Sequence, residues 1–267
     1  MHSTSIQVLL VSLLGFVSGP VHTDGEIRTV VQRVLASQQE IDKQLERFGY
    51  TETCKREEDG KQKNLEVYEV TMYKGRKIRR LISRNGKPLD DSDLAKENER
   101  IEKQIRSLER GNIPPLTNRR VKLEDLLRCS VFTNVGEAKV DGRDVWLAEF
   151  HPNPQAKPSN VNERFVHNLD GKIAVDPAAL QLVSFEFVLR DAFNIAGGLW
   201  FSMKPGTHFL DQEEWLFSKI WLPKVHEFDM NAKAMIGVKL RIDEITTYSG
   251  FKEFQVSVHD SVSPPNQ

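Results

Sequence analysis

The chain has 267 residues, 39% hydrophobic and 28% charged, which fits a soluble globular protein of one large or two small domains. The formal net charge is −1, so the bulk charge gives no case for nucleic-acid binding. Charge is nonetheless uneven: Lys74–Arg128 is rich in Lys and Arg, including Arg76-Lys77-Ile78-Arg79-Arg80. That run reads as a solvated strand and helix surface, or as a face for an acidic partner or an anionic lipid.

The apolar run Ile6–Val17 and the small residues of Val17-Ser18-Gly19 read as a signal peptide over residues 1–23. The run is too short to span a bilayer comfortably. Met1–Ser5 lacks Lys and Arg, and Pro20 disfavours cleavage directly before it. No cysteine directly follows the run, so a lipid-modified N-terminus is not expected, and export to the periplasm is.

Ile27, Val30, Val31, Val34, Ile41, Leu45 and Phe48 recur at helical spacing and predict an amphipathic helix from Glu26 to Arg47. Strands follow at Tyr50–Glu58, Leu65–Tyr73 and Lys77–Arg84. Asp59-Gly60, Asp141-Gly142 and Asp170-Gly171 each sit between strand-like runs and predict tight hairpins. Asn85-Gly86-Lys87-Pro88 instead leads into a helical insertion over residues 90–129. Ser92 is the expected cap of a polar helix Asp93–Arg110, with a second helix at Lys122–Cys129. Strand patterns resume at Val131–Val140 and Arg143–His151. Further strands are expected at Asn162–Asn168, Lys172–Val175, Val183–Leu189 and onward to Phe254–Val258. Residues 24–260 read as a single domain, and residues 261–267 as a disordered tail.

No catalytic motif competes with this pattern. There is no nucleophile elbow, P-loop or dinucleotide fingerprint, and no histidine pair at zinc-ligand spacing on a helix. Catalytic residues, metal and cofactor are all expected to be none. Asp90-Asp91-Ser92-Asp93 lacks the Gly and Glu of a calcium loop and suits a helix N-terminus. Cys54 and Cys129 lie outside any C-x-x-C pair. In an exported chain they either form a disulfide worth about 4 kcal/mol or remain free thiols, and sequence gives no Cα separation to decide.

The aromatic and aliphatic strand residues admit two readings. One is a filled sandwich or barrel core. The other is a curved sheet with an apolar hollow, where each buried CH₂ of an acyl chain contributes about 0.8 kcal/mol. On the second reading Val70, Met72, Trp146, Phe150, Phe185, Phe187, Leu189, Trp200, Leu240 and Ile242 line the hollow. Leu94, Ile101, Ile105 and Leu108 then form the stripe of a helical lid.

The order of elements resembles the outer-membrane lipoprotein-sorting (LolA/LolB-like) superfamily. Val67-Tyr68-Glu69-Val70, Arg79–Leu89 and Ile220-Trp221-Leu222-Pro223-Lys224 are similar to stretches of exported bacterial proteins, over roughly Phe48 to Phe254. The resemblance implies an α+β, mainly antiparallel fold: an unclosed half-barrel with an N-terminal helix and a helical lid. It implies a periplasmic binder or carrier of a lipid, acyl chain or acylated protein, with peripheral membrane contact. Arg79, Arg80 and Arg84 lie near the place where carriers use a basic latch, but no motif assigns one. The rival expectation is an envelope structural or interaction module with a filled core and a protein partner. A hydrolase with a dispersed site is the third.

Overall fold

The helical spacing near the N-terminus is realised in α1, Asp24–Leu45. Thr23 caps it reciprocally: Glu26 N–H donates to the Thr23 hydroxyl at 3.3 Å, and Thr23 N–H donates to the Glu26 carboxylate at 2.7 Å. Ile27, Val30, Val31 and Val34 form its buried stripe. The computed structural model describes residues 22–73, 75–111, 121–195, 201–234 and 238–254. The expected signal peptide up to residue 21, Trp200 and the tail 261–267 lie outside the described residues.

Among the described residues the fold is α+β and mainly antiparallel: thirteen strands form one unclosed sheet. The first strands are β1 (Phe48–Glu58), β2 (Lys61–Tyr73), β3 (Arg76–Arg84) and the short β4 (Lys87–Pro88). Helices α2 (Asp91–Glu109) and α3 (Leu123–Cys129) follow. Next come β5 (Ser130–Val140), β6 (Arg143–Pro152), α4 (Val161–Val166), β7 (Leu169–Asp176) and β8 (Gln181–Leu189). The chain continues through β9 (Phe193–Ile195), β10 (Phe201–Met203), β11 (His208–Leu216), β12 (Ile220–Ala234) and β13 (Val238–Glu253). The sheet order is β4-β3-β2-β1-β13-β12-β11-β8-β7-β6-β5, with β10 also pairing β12 and β9.

Three of the turn signals act as hairpins. Asp59-Gly60, Asn85-Gly86 and Asp141-Gly142 all hold positive φ at both positions, the requirement of a two-residue hairpin turn. Asn85-Gly86 therefore makes a hairpin to β4 before the chain leaves for α2. Asp170-Gly171 is different, and corrects the expectation of a turn: both residues lie inside β7. A Cβ at Gly171 would stand 2.2 Å from the Glu186 carbonyl oxygen and 2.3 Å from Phe150 Cζ, so glycine admits the Phe150 ring.

Other expectations are also corrected. Residues 161–166 are helical rather than extended, because Asn160 caps Glu163 N–H at 3.0 Å and the Glu163 carboxylate takes Ser159 N–H at 2.7 Å. Asp90, not Ser92, caps α2, accepting from Asp93 N–H at 2.8 Å. Of the two alternatives left open for the cysteines, the structure has free thiols. Cys54 lies in the middle of the sheet on β1, whereas Cys129 is buried beneath α1 at the end of α3.

Paired residues share a face, so one face can be followed strand by strand. One row runs Phe132, Phe150, Gly171, Phe187, Phe209, Phe228, Glu244, Arg56, Asn64. The next runs Ala148, Ile173, Phe185, Asp211, His226, Thr246, Cys54, Glu66, Arg84. Each row passes from hydrocarbon to charge along the same surface. Over β5–β8 this inner face is covered by α1, α3 and α4, which bury Ile27, Val31, Leu126, Cys129 and Val166 against Phe150, Ile173, Phe185 and Leu189. Each fully buried aliphatic or aromatic side chain there contributes roughly 1.5–3 kcal/mol.

The opposite face of β6–β8 carries a smaller cluster of Val145, Ala174, Val183 and Trp221. Buried Asp176 ties it to the turn after β7. It accepts from Ala178 N–H at 2.9 Å, Ala179 N–H at 2.8 Å and Trp221 Nε1 at 2.9 Å, and pairs with Arg143.

Candidate interaction face

Register places Val70, Met72, Trp146, Phe150, Phe185, Phe187, Leu189, Leu240 and Ile242 on the inner face. It does not bring them into one cavity. Phe150, Phe185, Phe187 and Leu189 pack under the three helices, with Trp146 at the margin against His22. Phe150 and Phe185 stack with ring centroids 5.5 Å apart, and Phe187 stacks on Phe209 at 4.8 Å. Leu240 and Ile242 join a separate cluster with Met203, Phe228, Met230 and Ala232. Val70 and Met72 lie farther along, within the charged half.

The expected lid divides likewise. The α3 helix does cover the apolar half, through Leu126 and Cys129. The α2 helix does not: it lies against β3 and satisfies that strand's outward backbone groups with side chains. Glu97 Oε1 accepts Leu81 N–H at 2.8 Å, Arg100 donates to the Arg79 carbonyl, and Gln104 donates to the Lys77 carbonyl at 3.4 Å. Polar helical side chains thus stand where the next strand's backbone would be, which blunts a sheet edge. Of the expected stripe, Leu108 is buried and Ile101 and Ile105 are half-buried, while Leu94 is 42% exposed.

The uncovered part of the inner face is built on β1, β2, β3 and β13. At its centre Glu52 is only 2% exposed. Its Oε1 lies 2.6 Å from Lys77 Nζ and its Oε2 2.5 Å from Arg79 Nε. The second contact is a close ion pair off the donor axis, so Arg79 Nε has no aligned acceptor. Arg79 also donates to Cys54 Sγ at 3.2 Å, and its guanidinium lies 4.0 Å from the Tyr68 ring centroid. Tyr68 donates to Glu66 at 2.7 Å, and Arg84 Nε donates to the same carboxylate at 3.1 Å. Tyr50 and Tyr248 meet edge-on at 5.9 Å, and Lys77 Nζ stands 5.5 Å from the Tyr50 ring centroid.

This packing sets the titration of several groups. Burial and the Glu66 carboxylate push the Tyr68 phenol up to about 12. Burial also raises the Cys54 thiol, leaving it a poor nucleophile at neutral pH despite Arg79 nearby. The Arg100 hydrogen bonds, aided by Leu81 N–H, hold the Glu97 carboxyl below its ordinary 4.5. The open cleft bordered by α2, β2 and β3 has a volume of about 360 Å³ and is lined by Tyr68, Lys77, Arg79, Leu81, Arg84, Glu97, Arg100 and Gln104.

Of these residues the sequence drew attention to Arg79, Arg80 and Arg84. Arg80 turns the other way, to Asn98 on α2. Lys77 belongs to the basic run and Tyr68 to a stretch that carries the resemblance, whereas nothing in the sequence singles out Glu52 or Arg100. Counting back from the Asp59-Gly60 turn would pair Glu52 with Val67; a bulge between Arg56 and Glu57 shifts the register and pairs it with Tyr68.

Among the described residues no group of three or more His, Cys, Asp or Glu is placed to hold a metal ion, and no helix is long and apolar enough to cross a membrane. His151, His208 and His226 point their ring nitrogens at Asp170, Glu186 and Asp211. No family model matches the sequence, and no curated protein matches it. The crystal structure of MucB in complex with MucA(peri) is similar over 84% of this chain and 99% of that chain, at 10% identity and a TM-score of 0.26, a likeness too slight to carry an inference.

Proposed function

We propose that this protein is a non-enzymatic binding module of the periplasm, and that it takes a protein partner on the charged half of its inner face. One observation carries the reading. A single sheet face is packed shut by α1, α3 and α4 over β5–β8, while its other half presents Tyr68, Lys77, Arg79 and Tyr248 outside those helices. Tyrosine and arginine are the residue types that most often anchor protein interfaces. The apolar run Ile6–Val17 supports export, and the resemblance to lipoprotein-sorting proteins supports an envelope role.

The test is photo-crosslinking in exporting cells from positions 77 and 248, with Val188 on the outer face of β8 as the control. One shared protein adduct is expected from the first two positions and none from the third, and the Lys77→Glu/Arg79→Glu variant should lose it. Adducts from Val188 alone, or none at all, would contradict the reading.

Carriage of a lipid, acyl chain or acylated protein is the second reading. It is supported by the cluster of Met203, Phe228, Met230, Leu240 and Ile242, which includes no helix residue. Delipidated protein incubated with palmitate should then retain it in native mass spectrometry, and Met230→Glu should abolish retention. Clean apo protein would remove this reading and leave the first intact.

A further inference from the structure

We propose that the turn between β11 and β12 carries the apolar anchor of the partner-binding surface: the Phe217 ring enters an apolar pocket on the partner protein. The proposal rests on the reading that the charged half of the inner face takes a protein, and it names one contact at the rim of that face.

This turn departs from the rule that three other tight turns of the chain obey. Asp59-Gly60, Asn85-Gly86 and Asp141-Gly142 supply the residue types that accept positive φ at both positions. Between Leu216 and Ile220 the same conformation is held by Phe217 at φ 55° and Ser218 at φ 53°, and Lys219 N–H donates to the Leu216 carbonyl at 3.2 Å. A bulky side chain in the left-handed region crowds its own backbone, a strain that Asn or Gly would relieve. Burial does not account for the choice. Phe217 is 49% exposed, and its ring stacks on Phe48 with centroids 5.4 Å apart. Strain retained at an exposed aromatic side chain points to a role outside the fold.

Position joins the ring to the binding surface. Phe48, Tyr50 and Glu52 alternate along β1 on the inner face, about 7 Å from one to the next. Phe217 stacks on the first of them. Tyr50 meets Phe251 at 5.2 Å and Tyr248 at 5.9 Å, and Lys77 Nζ stands 5.5 Å from the Tyr50 ring centroid. A line of rings therefore runs from the exposed tip to the cations of the charged half. An interface of standard size, about 800 Å² on each partner, covers both, and aromatic side chains are enriched in such interfaces. The surroundings favour a protein pocket over a bilayer. Glu253 lies at the base of the turn, 2.6 Å from Lys219 Nζ and 2.9 Å from Arg47 Nη2, and insertion into lipid would draw these charges out of water. One ring also buries far less hydrocarbon than the single acyl chain that by itself anchors only marginally.

The experiment extends the photo-crosslinking in exporting cells to position 217, using p-benzoylphenylalanine, and reads the position-248 adduct in Phe217→Asn beside the thermal melting of that purified variant. Position 217 should give the same protein adduct as positions 77 and 248. Phe217→Asn should cut the position-248 adduct about tenfold, the effect of removing one interface anchor. Because Asn suits the turn, its melting temperature should stay level or rise by about 2 °C. Phe217→Leu, which keeps an apolar side chain, should retain most of the adduct. An undiminished adduct in Phe217→Asn, or a lowered melting temperature, would show that Phe217 serves the fold; either overturns the anchor and leaves the wider reading intact. Binding to phosphatidylethanolamine–phosphatidylglycerol vesicles that Phe217→Asn abolishes would make the occupant a bilayer and overturn the protein pocket. No adduct from positions 77 and 248 would overturn both readings.

Discussion

Two halves of one sheet face use the same backbone and opposite chemistry. Over β5–β8 the inner side chains are Phe132, Phe150, Ile173, Phe185, Phe187 and Leu189, and three helices close over them. Over β1–β3 and β13 the same face carries Glu52, Tyr68, Lys77, Arg79 and Tyr248 beyond those helices. Even α2 leaves that half open, spending its polar side chains on the β3 edge. The first half has the composition of a core, and the second carries the tyrosines and cations of the proposed binding surface. Continuous hydrogen bonding between strands lets the first hold the second in place.

The largest expected effect lies in the apolar half. Phe150 is fully buried against α1-side residues and over Gly171, so Phe150→Ala should cost about 3–5 kcal/mol in urea unfolding. A loss below about 1 kcal/mol would mean that the face beneath the helices is loosely filled. Next comes the charged half, where the order of removal matters. Lys77→Ala/Arg79→Ala strands the buried Glu52 carboxylate and should cost about 3 kcal/mol, the low end for breaking a buried pair. Adding Glu52→Gln to that variant should restore most of the loss, because the charge that could not be hydrated is gone. No restoration would show that Lys77 and Arg79 stabilise through packing alone.

The division between the halves was only partly legible in sequence. The α1 stripe, the hairpins at Asp59-Gly60 and Asp141-Gly142, and the apolar alternation of Val183–Leu189 could all be read from local pattern. Asn160 and Glu163 supplied a capping signal for α4 that the strand-like reading of 162–168 passed over. Gly171 looked like a turn because a glycine required by a neighbouring ring has the same letter as one required by a positive φ. The charged site was hidden by register. Bulges at Arg56/Glu57 and Val67/Tyr68 shift the pairings that place Glu52, Tyr68 and Arg79 together. The polarity of α2 was visible, but its role at an edge depends on backbone groups that no side-chain pattern reports.

A smaller effect should appear in acid, with one carboxylate in each region. Burial alone would raise Asp176, but Arg143, the Ala178 and Ala179 N–H groups and Trp221 outweigh it and hold it below its ordinary 3.8. Glu97 is held below 4.5, chiefly by Arg100. For both, the unfolded chain binds the proton more readily than the folded one. Their contribution is therefore complete above those ordinary values and is lost as pH falls through the lower folded values. Asp176→Asn and Glu97→Gln should each flatten the acid limb of a stability–pH profile; an unchanged limb would contradict the assigned partners. The smallest effect concerns the thiols. Native protein should react slowly with a thiol reagent at neutral pH, and a reductant should leave its melting temperature unchanged. A reductant-sensitive melting temperature would contradict the separation of Cys54 from Cys129.

The most direct test of the divided face is solvent accessibility of its side chains, read by relaxation from a neutral gadolinium chelate. Strong relaxation is predicted at Tyr68, Lys77 and Arg84, and almost none at Phe150, Ile173 and Phe185. Comparable relaxation at both sets would show an open apolar hollow and contradict the account.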